Sequence, residues 1–289
     1  MPASAVSPVN IKKINESGVV YAGDLLAAEE PLEIRLGFGA ANEREQKNIS
    51  VTMRTPGNDF ELALGFLFTE GIINNNHDVK RIVYCTDANR SLSSGEGRGE
   101  VENIVRVELK ENILPDLKKL ERNFYTTSSC GVCGKSSIDS IKTICDKQVS
   151  ENNMSATAET IRQLPDQLRK QQNIFRHTGG LHASALFDAG GNLIFTREDI
   201  GRHNALDKLI GAALASGMIP LSDHILLLSG RASFELIQKA VMAGINLVAA
   251  VGAPSGLAVR LAKEFNITLI GFLRNERFNI YSGEQRIII

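Results

Sequence analysis

Ile225-Leu226-Leu227-Leu228-Ser229-Gly230-Arg231-Ala232-Ser233, Leu247-Val248-Ala249-Ala250-Val251-Gly252-Ala253-Pro254-Ser255-Gly256 and Ile267-Thr268-Leu269-Ile270-Gly271 decide the fold. Each begins as a short, almost unbroken apolar run, the pattern of a strand buried on both faces of a parallel sheet. Helical spacing separates them, over Phe234–Ala243 and Gly256–Glu264. Strands that alternate with helices in this way predict an α/β sheet. Parallel strands end on one edge, and the loops there form the ligand crevice of open α/β folds. In this chain those loops are 229–233, 252–256 and Phe272-Leu273-Arg274-Asn275-Glu276-Arg277. The first two enter helix N-termini, whose free N–H groups attract phosphate. The third carries two arginines suited to bidentate phosphate contacts. Taken singly, each loop is ordinary turn and cap chemistry. Together they favour a phosphorylated, nucleotide-like ligand.

Working back towards the N-terminus, Glu198-Asp199-Ile200-Gly201-Arg202-His203-Asn204 leads into a helix over Ala205–Ala215. Before it, Leu181–Phe187, the turn 188–192 and Leu193–Phe195 predict a β-hairpin, preceded by a helix over Thr157–Gln172. His177, His182 and His203 are each either crevice residues or ordinary capping and core histidines. Residues 1–115 read as a β-rich unit. Leu32–Leu36 and Ile49–Met53 alternate as half-buried strands do, and Val105, Val107 and Leu109 resume the pattern after a Gly/Ser-rich hairpin loop, Asp87–Glu100. One helix, Phe60–Thr69, is capped by Asn58 or Asp59, stopped by Gly71 and apolar over much of its circumference, so it is expected to be buried against the sheet.

Between the two units, residues 116–156 form a linker around Ser129-Cys130-Gly131-Val132-Cys133-Gly134-Lys135. Glycines and serines make a mobile, polar loop, and Lys135 favours thiolate. A Cys-x-x-Cys pair serves as half of a zinc site, a dithiol redox couple or a sulfur-carrying nucleophile with a helper thiol. Zinc requires about four ligands, and Cys85 and Cys145 each stand alone as small core hydrophobes. The redox reading wants a long helix after the pair, whereas Ile138, Ile141 and Ile144 form only a short amphipathic run.

The chain has 289 residues, enough to bury roughly 75% of its unfolded surface, with 32 basic and 33 acidic residues. That balance gives no support to nucleic-acid binding, and the absence of tryptophan argues against a base-stacking platform. No apolar run approaches the ~20 residues of a membrane span, and residues 1–10 lack a signal-peptide pattern, so a cytoplasmic protein with no membrane or nucleic-acid partner is expected.

These motifs together resemble the FdhD/NarQ family of formate dehydrogenase accessory sulfurtransferases. The shared features are Arg54-Thr55-Pro56-Gly57 with the helix to Glu70-Gly71, the Cys130–Cys133 loop, Thr178-Gly179-Gly180-Leu181-His182, Glu198–Ala205, Ser229-Gly230-Arg231, Gly271-Phe272 and Arg277-Phe278-Asn279-Ile280-Tyr281. The resemblance implies a sulfur relay. A cysteine desulfurase loads Cys130 as a persulfide, and Cys133 assists. The sulfur then passes to the molybdenum or tungsten of bis-molybdopterin guanine dinucleotide, a bound substrate rather than a permanently held cofactor, before that cofactor enters the formate dehydrogenase catalytic subunit. It places cofactor binding at Phe272, Leu273, Arg274, Asn275, Glu276 and Arg277, with Ser229, Gly230, Arg231 and His203 nearby. It also implies a homodimer and a cytidine-deaminase-like three-layer α/β/α domain with a mixed sheet over 157–289. Deaminase chemistry itself is not expected: His203-Asn204-Ala205 lacks the His-x-Glu pair, and 229–233 holds no cysteines. A non-catalytic cofactor-binding chaperone and a Cys-x-x-Cys dithiol oxidoreductase are the alternatives.

Overall fold

The computed structural model describes residues 4–16, 18–85, 103–115, 154–274 and 276–289. Cys130, Cys133, Lys135, Cys145, Asn275 and the whole of the Asp87–Glu100 loop lie outside the described residues.

The three opening stretches form neighbouring parallel strands, β10 (His224–Leu228), β11 (Leu247–Ala250) and β12 (Thr268–Arg274). They are the centre of a six-stranded sheet. The hairpin β8 (His182–Asp188) and β9 (Leu193–Asp199) extends it on one side, and β13 (Arg277–Ser282) on the other, all antiparallel to their neighbours. The sheet is therefore mixed, as expected. Successive β10 residues serve opposite faces: Leu226 and Leu228 join one apolar cluster, Ile225 and Leu227 the other. Helix α2 (Ala158–Gln171) covers the second face with Ile161, Leu164 and Leu168. Its Thr157 hydroxyl caps the Thr160 N–H at 3.0 Å. A single short turn of helix, α3 (Asn173–Thr178), follows directly. Helices α4 (Arg202–Ala215), α5 (Phe234–Met242) and α6 (Gly256–Glu264) cover the first face. Two short strands, β7 (Ala156–Thr157) and β14 (Ile287–Ile288), pair beside α2.

The N-terminal unit is a four-stranded sheet, β4-β3-β6-β5, built from β3 (Glu30–Phe38), β4 (Glu45–Arg54), β5 (Val79–Tyr84) and β6 (Ile104–Leu109). Its helix α1 (Asp59–Thr69) is buried as its composition demands. One side faces the sheet, but the other packs on α4, a partner the sequence did not identify. Glycines make this crossing possible: a Cβ on Gly65 would lie 1.9 Å from the Asp207 carbonyl oxygen, and one on Gly211 would lie 1.9 Å from that of Glu61. Leu62 and Leu67 of α1 share one buried cluster with Leu206, Leu209 and Ile210 of α4. The helix start also differs from expectation. Asn58 sits in the left-handed region at φ 58° without a side-chain cap, and Asp59 is held by both arms of Arg54 at 3.0 and 2.9 Å.

Strands β1 (Val6–Asn15) and β2 (Gly18–Ala27) form a separate ribbon that the sequence reading missed. Both of its faces meet solvent, so the apolar alternation that signals a strand is absent. No helix among the described residues is long and apolar enough to cross a membrane.

Candidate functional site

The C-terminal ends of the parallel strands open into a cavity of about 670 Å³. Its floor is Ser229 after β10, Val251 after β11, and Leu273 and Arg274 at the end of β12. Its opposite wall is the α2–α3 corner, with Leu168, Arg169, Gln172 and Phe175, and Gly179–His182 closes the side.

Local chemistry fixes each element. The Ser229 hydroxyl accepts the Ala183 N–H at 2.8 Å while the Ser229 N–H donates to the Ala183 carbonyl at 3.0 Å, locking the loop to β8. Ser255 caps α6 through the Ala258 N–H at 3.2 Å. Phe272 lies at φ 52° inside a bulge of the β12–β13 pair and donates its N–H to the Gly252 carbonyl at 3.0 Å. The third crevice segment is a bulged hairpin end. A bulge re-aims side chains, and this one leaves Phe272 exposed while Leu273 is fully buried. Arg274 and Arg277 pair across the hairpin end, both exposed.

Of the residues proposed from sequence, Ser229, Leu273 and Arg274 line the cavity, and Gly230 adjoins it. Phe272, Glu276 and Arg277 are exposed on the same hairpin, and Arg231 is exposed within the 229–233 loop. His203, the second residue of α4, lies outside the cavity, its Nε2 3.8 Å from a Glu235 oxygen. His182 does line it. Burial, then the positive charges of Arg202, Arg231 and His203, outweigh the pull of Asp199 and hold its imidazole below the ordinary histidine range. The α2–α3 wall was not anticipated. Its one sequence signal was position, because Gln172 and Phe175 immediately precede the Gly179-Gly180 turn.

The shared segment 198–204 is structural. The Asp199 carboxylate accepts from the N–H groups of Thr55 at 3.1 Å and Gly201 at 2.8 Å, and pairs with the buried Lys208 ammonium at 2.7 Å. Lys208 also donates to the Thr55 carbonyl at 2.8 Å, and the Asn204 amide to that of Met53 at 2.8 Å. These bonds join the N-terminal sheet to the start of α4. Glu198 reaches the other way, accepting from the N–H groups of Ile174 at 3.1 Å and Phe175 at 2.9 Å and so capping α3. Among the described residues, no group of three or more His, Cys, Asp or Glu side chains is placed to hold a metal ion.

The FdhD/NarQ family model matches residues 27–288. The chain belongs to that family. It is 50% identical over 279 residues to the sulfur carrier protein FdhD of Streptomyces avermitilis, covering 96% of this chain and 94% of the relative. It is 44% identical to the protein of the same name from Mycobacterium tuberculosis, covering 96% of each, and 45% identical to that of Picrophilus torridus, covering 93% and 94%. The fold matches a crystal structure from Desulfotalea psychrophila, a protein described as a formate dehydrogenase accessory protein, with TM-score 0.73 over 99% of this chain and 100% of the other, at 21% identity. In this member of the family, hydrogen bonds and an ion pair place the Arg54–Gly57 and Glu198–Asn204 motifs at the joint between the N-terminal sheet and the start of α4.

Proposed function

We propose that this chain is a sulfur carrier that takes sulfur from a cysteine desulfurase as a Cys130 persulfide and transfers it to the metal of bis-molybdopterin guanine dinucleotide, bound as substrate, for formate dehydrogenase. The observation that carries the reading is the cavity. Strand order predicts a ligand crevice at this edge, the resemblance puts its cofactor segment there, and Leu273 and Arg274 of that segment stand in the wall. Its volume lies in the range of small-molecule and cofactor sites. The opposed, exposed Arg274 and Arg277 support an anionic ligand, because like charges directly across a strand pair repel unless a counter-charge joins them. The names of the relatives support sulfur carriage.

Loading is a displacement. The Cys130 thiolate attacks the sulfane sulfur of the desulfurase persulfide, one S–S bond forms as another breaks, and the desulfurase thiolate leaves, with no net redox change. A sequence rich in Gly and Ser around Cys130, with Lys135 five positions on, favours the thiolate. Cys133 assists delivery. The working unit is a homodimer that also meets the formate dehydrogenase catalytic subunit.

Mass spectrometry after incubation with a cysteine desulfurase and cysteine tests the reading. A +32 Da adduct, the mass of one sulfur atom, on the Cys130 peptide that Cys130→Ala abolishes is expected. A Cys130→Ala variant that still supports formate dehydrogenase maturation in cells would favour a non-catalytic chaperone instead.

A further inference from the structure

Strands β1 and β2 pair in unbroken register, so cross-strand partners share a face and residues two apart along each strand join them. One face holds Val9, Ile11 and Ala22, all half-buried, together with the charges of Lys13 and Asp24. The other presents Leu25, Tyr21, Val19 and Ile14, which are 37%, 79%, 51% and 78% exposed. Its one charge is Lys12, whose ammonium lies 5.9 Å over the Tyr21 ring. The ribbon is closed at its root, where the Ala28 N–H donates to the Ala5 carbonyl at 2.9 Å, and there β2 packs on α3. A two-stranded ribbon is at best marginally stable in water and needs a further layer.

The stripe suits a second copy of itself. A two-fold interface sets the same patch against its own image, so a patch with many charges would repel, and this one carries a single lysine that a tyrosine ring already holds. Gly23, between Tyr21 and Leu25 on the same face, leaves a gap, since a Cβ there would meet nothing within 4 Å. At roughly 150–250 Å² for each large side chain, the four exposed residues offer on the order of 500 Å² of apolar surface. With the strands that carry them they approach the ~800 Å² per partner of a standard interface. Resting on the homodimer reading above, we infer that two copies join by stacking these ribbon faces about a two-fold axis, with Tyr21 of each copy seated over Gly23 of the other. Because β2 is rooted on α3, the joint ends at the wall of the cavity in both copies.

Sedimentation equilibrium of the full chain from about 1 to 100 μM tests this by comparing the parent with Ile14→Asp/Tyr21→Asp and with Val20→Asp, which stands on the opposite face at 51% exposure. The parent and Val20→Asp are expected to run as dimers. The double variant should raise the dissociation constant roughly 100-fold or more, the scale of a central tyrosine lost from an apolar contact with charge put in its place. Far-UV circular dichroism checks that all three keep the fold. Tyr21→Thr, which keeps a strand-forming residue and removes the ring, repeats the test should the charged pair disturb the ribbon, and should weaken association at least roughly tenfold. Variants as dimeric as the parent overturn this inference alone, as does a Val20→Asp that dissociates as readily as the double variant. A monomeric parent overturns the homodimer reading and this inference with it, and failed formate dehydrogenase maturation by the double variant in cells would then give the face to that enzyme.

Discussion

Replacing Gly211 with alanine puts the fold to a direct test. The new methyl would stand 1.9 Å from the Glu61 carbonyl oxygen and 2.7 Å from its carbon, both backbone atoms that cannot rotate aside. Helices α1 and α4 must separate by roughly 1 Å, a gap that forfeits a quarter to a half of the dispersion attraction across the crossing. Leu62 and Leu67 face Leu206, Leu209 and Ile210 there, all buried. Insertion of one methylene into a good core costs about 1–3 kcal/mol, and a rigid backbone clash belongs at or above the upper end. About 3 kcal/mol lowers the melting temperature of a chain near this size by roughly 6 °C or more. Thermal and urea melts would compare Gly211→Ala with Gly256→Ala. A Cβ on Gly256 meets nothing within 4 Å, so that variant should stay within about 0.5 kcal/mol of the parent. Gly65→Ala should resemble Gly211→Ala, and the double variant should lose less than the two singles combined, because one separation relieves both contacts. A Gly211→Ala melt within about 2 °C of the parent would refute the crossing.

The other predictions concern charge. Lys239→Met strips the buried Asp207 carboxyl, which the ammonium approaches at 2.9 Å through both oxygens, of its counter-charge and hydrogen bonds, and should cost about 3–5 kcal/mol in urea. Lys239→Met with Asp207→Leu should recover much of it, and a double variant no better than the single would show that the two groups are not coupled. Arg54→Lys lacks the planar fork that meets Asp59 through two N–H groups while a third reaches Glu30 at 3.3 Å, and should lose about 1–3 kcal/mol, read as a lower urea midpoint at unchanged slope. An unchanged midpoint would mean the fork is dispensable. His182 is held below the ordinary value of 6.5 by burial and by Arg202, Arg231 and His203, and His224 by burial against Asp223 and Asp188. The unfolded chain therefore binds protons more readily at both. Their contribution is complete above about 6.5 and is lost as pH falls through the folded-state values. The parent should lose more stability between pH 7 and 5 than a His182→Gln/His224→Gln variant, and parallel pH profiles would contradict the shifts.

The central sheet was legible because strands buried on both faces are written as unbroken apolar runs, and Ile225–Leu228 and Leu247–Val251 read the same way in either direction of inference. Strand order then located the crevice before any side chain was placed. What escaped was whatever depends on a partner distant in sequence. Gly65 and Gly211 each look like a weak spot inside an apolar helix. Only their mutual contact explains them, although an isolated glycine in a helical run is itself a packing signal. The β1–β2 ribbon left no alternation to read. Helix α4 starts at Arg202, three residues before the periodic apolar positions begin, because its first turn is polar and serves the joint rather than the core.

Segment 198–204 shows why residues that touch no ligand belong to the same design as those that do. Asp199 pairs in register with His182 at the cavity side, and its carboxylate is fixed from the N-terminal unit by Thr55 and from α4 by Lys208. Glu198, its neighbour, points the opposite way and caps the helix that carries Phe175 beside Gln172. Alternation along one strand thus sends one carboxylate to the joint and the next to the wall of the cavity. Displacement of the N-terminal sheet would pull on Asp199, and through the strand it would shift both His182 and the cap on α3. The Arg54–Gly57 and Glu198–Asn204 motifs tie the N-terminal sheet to the start of α4, and Lys208, buried with Asp199, holds that joint because neither charge is stable there without the other.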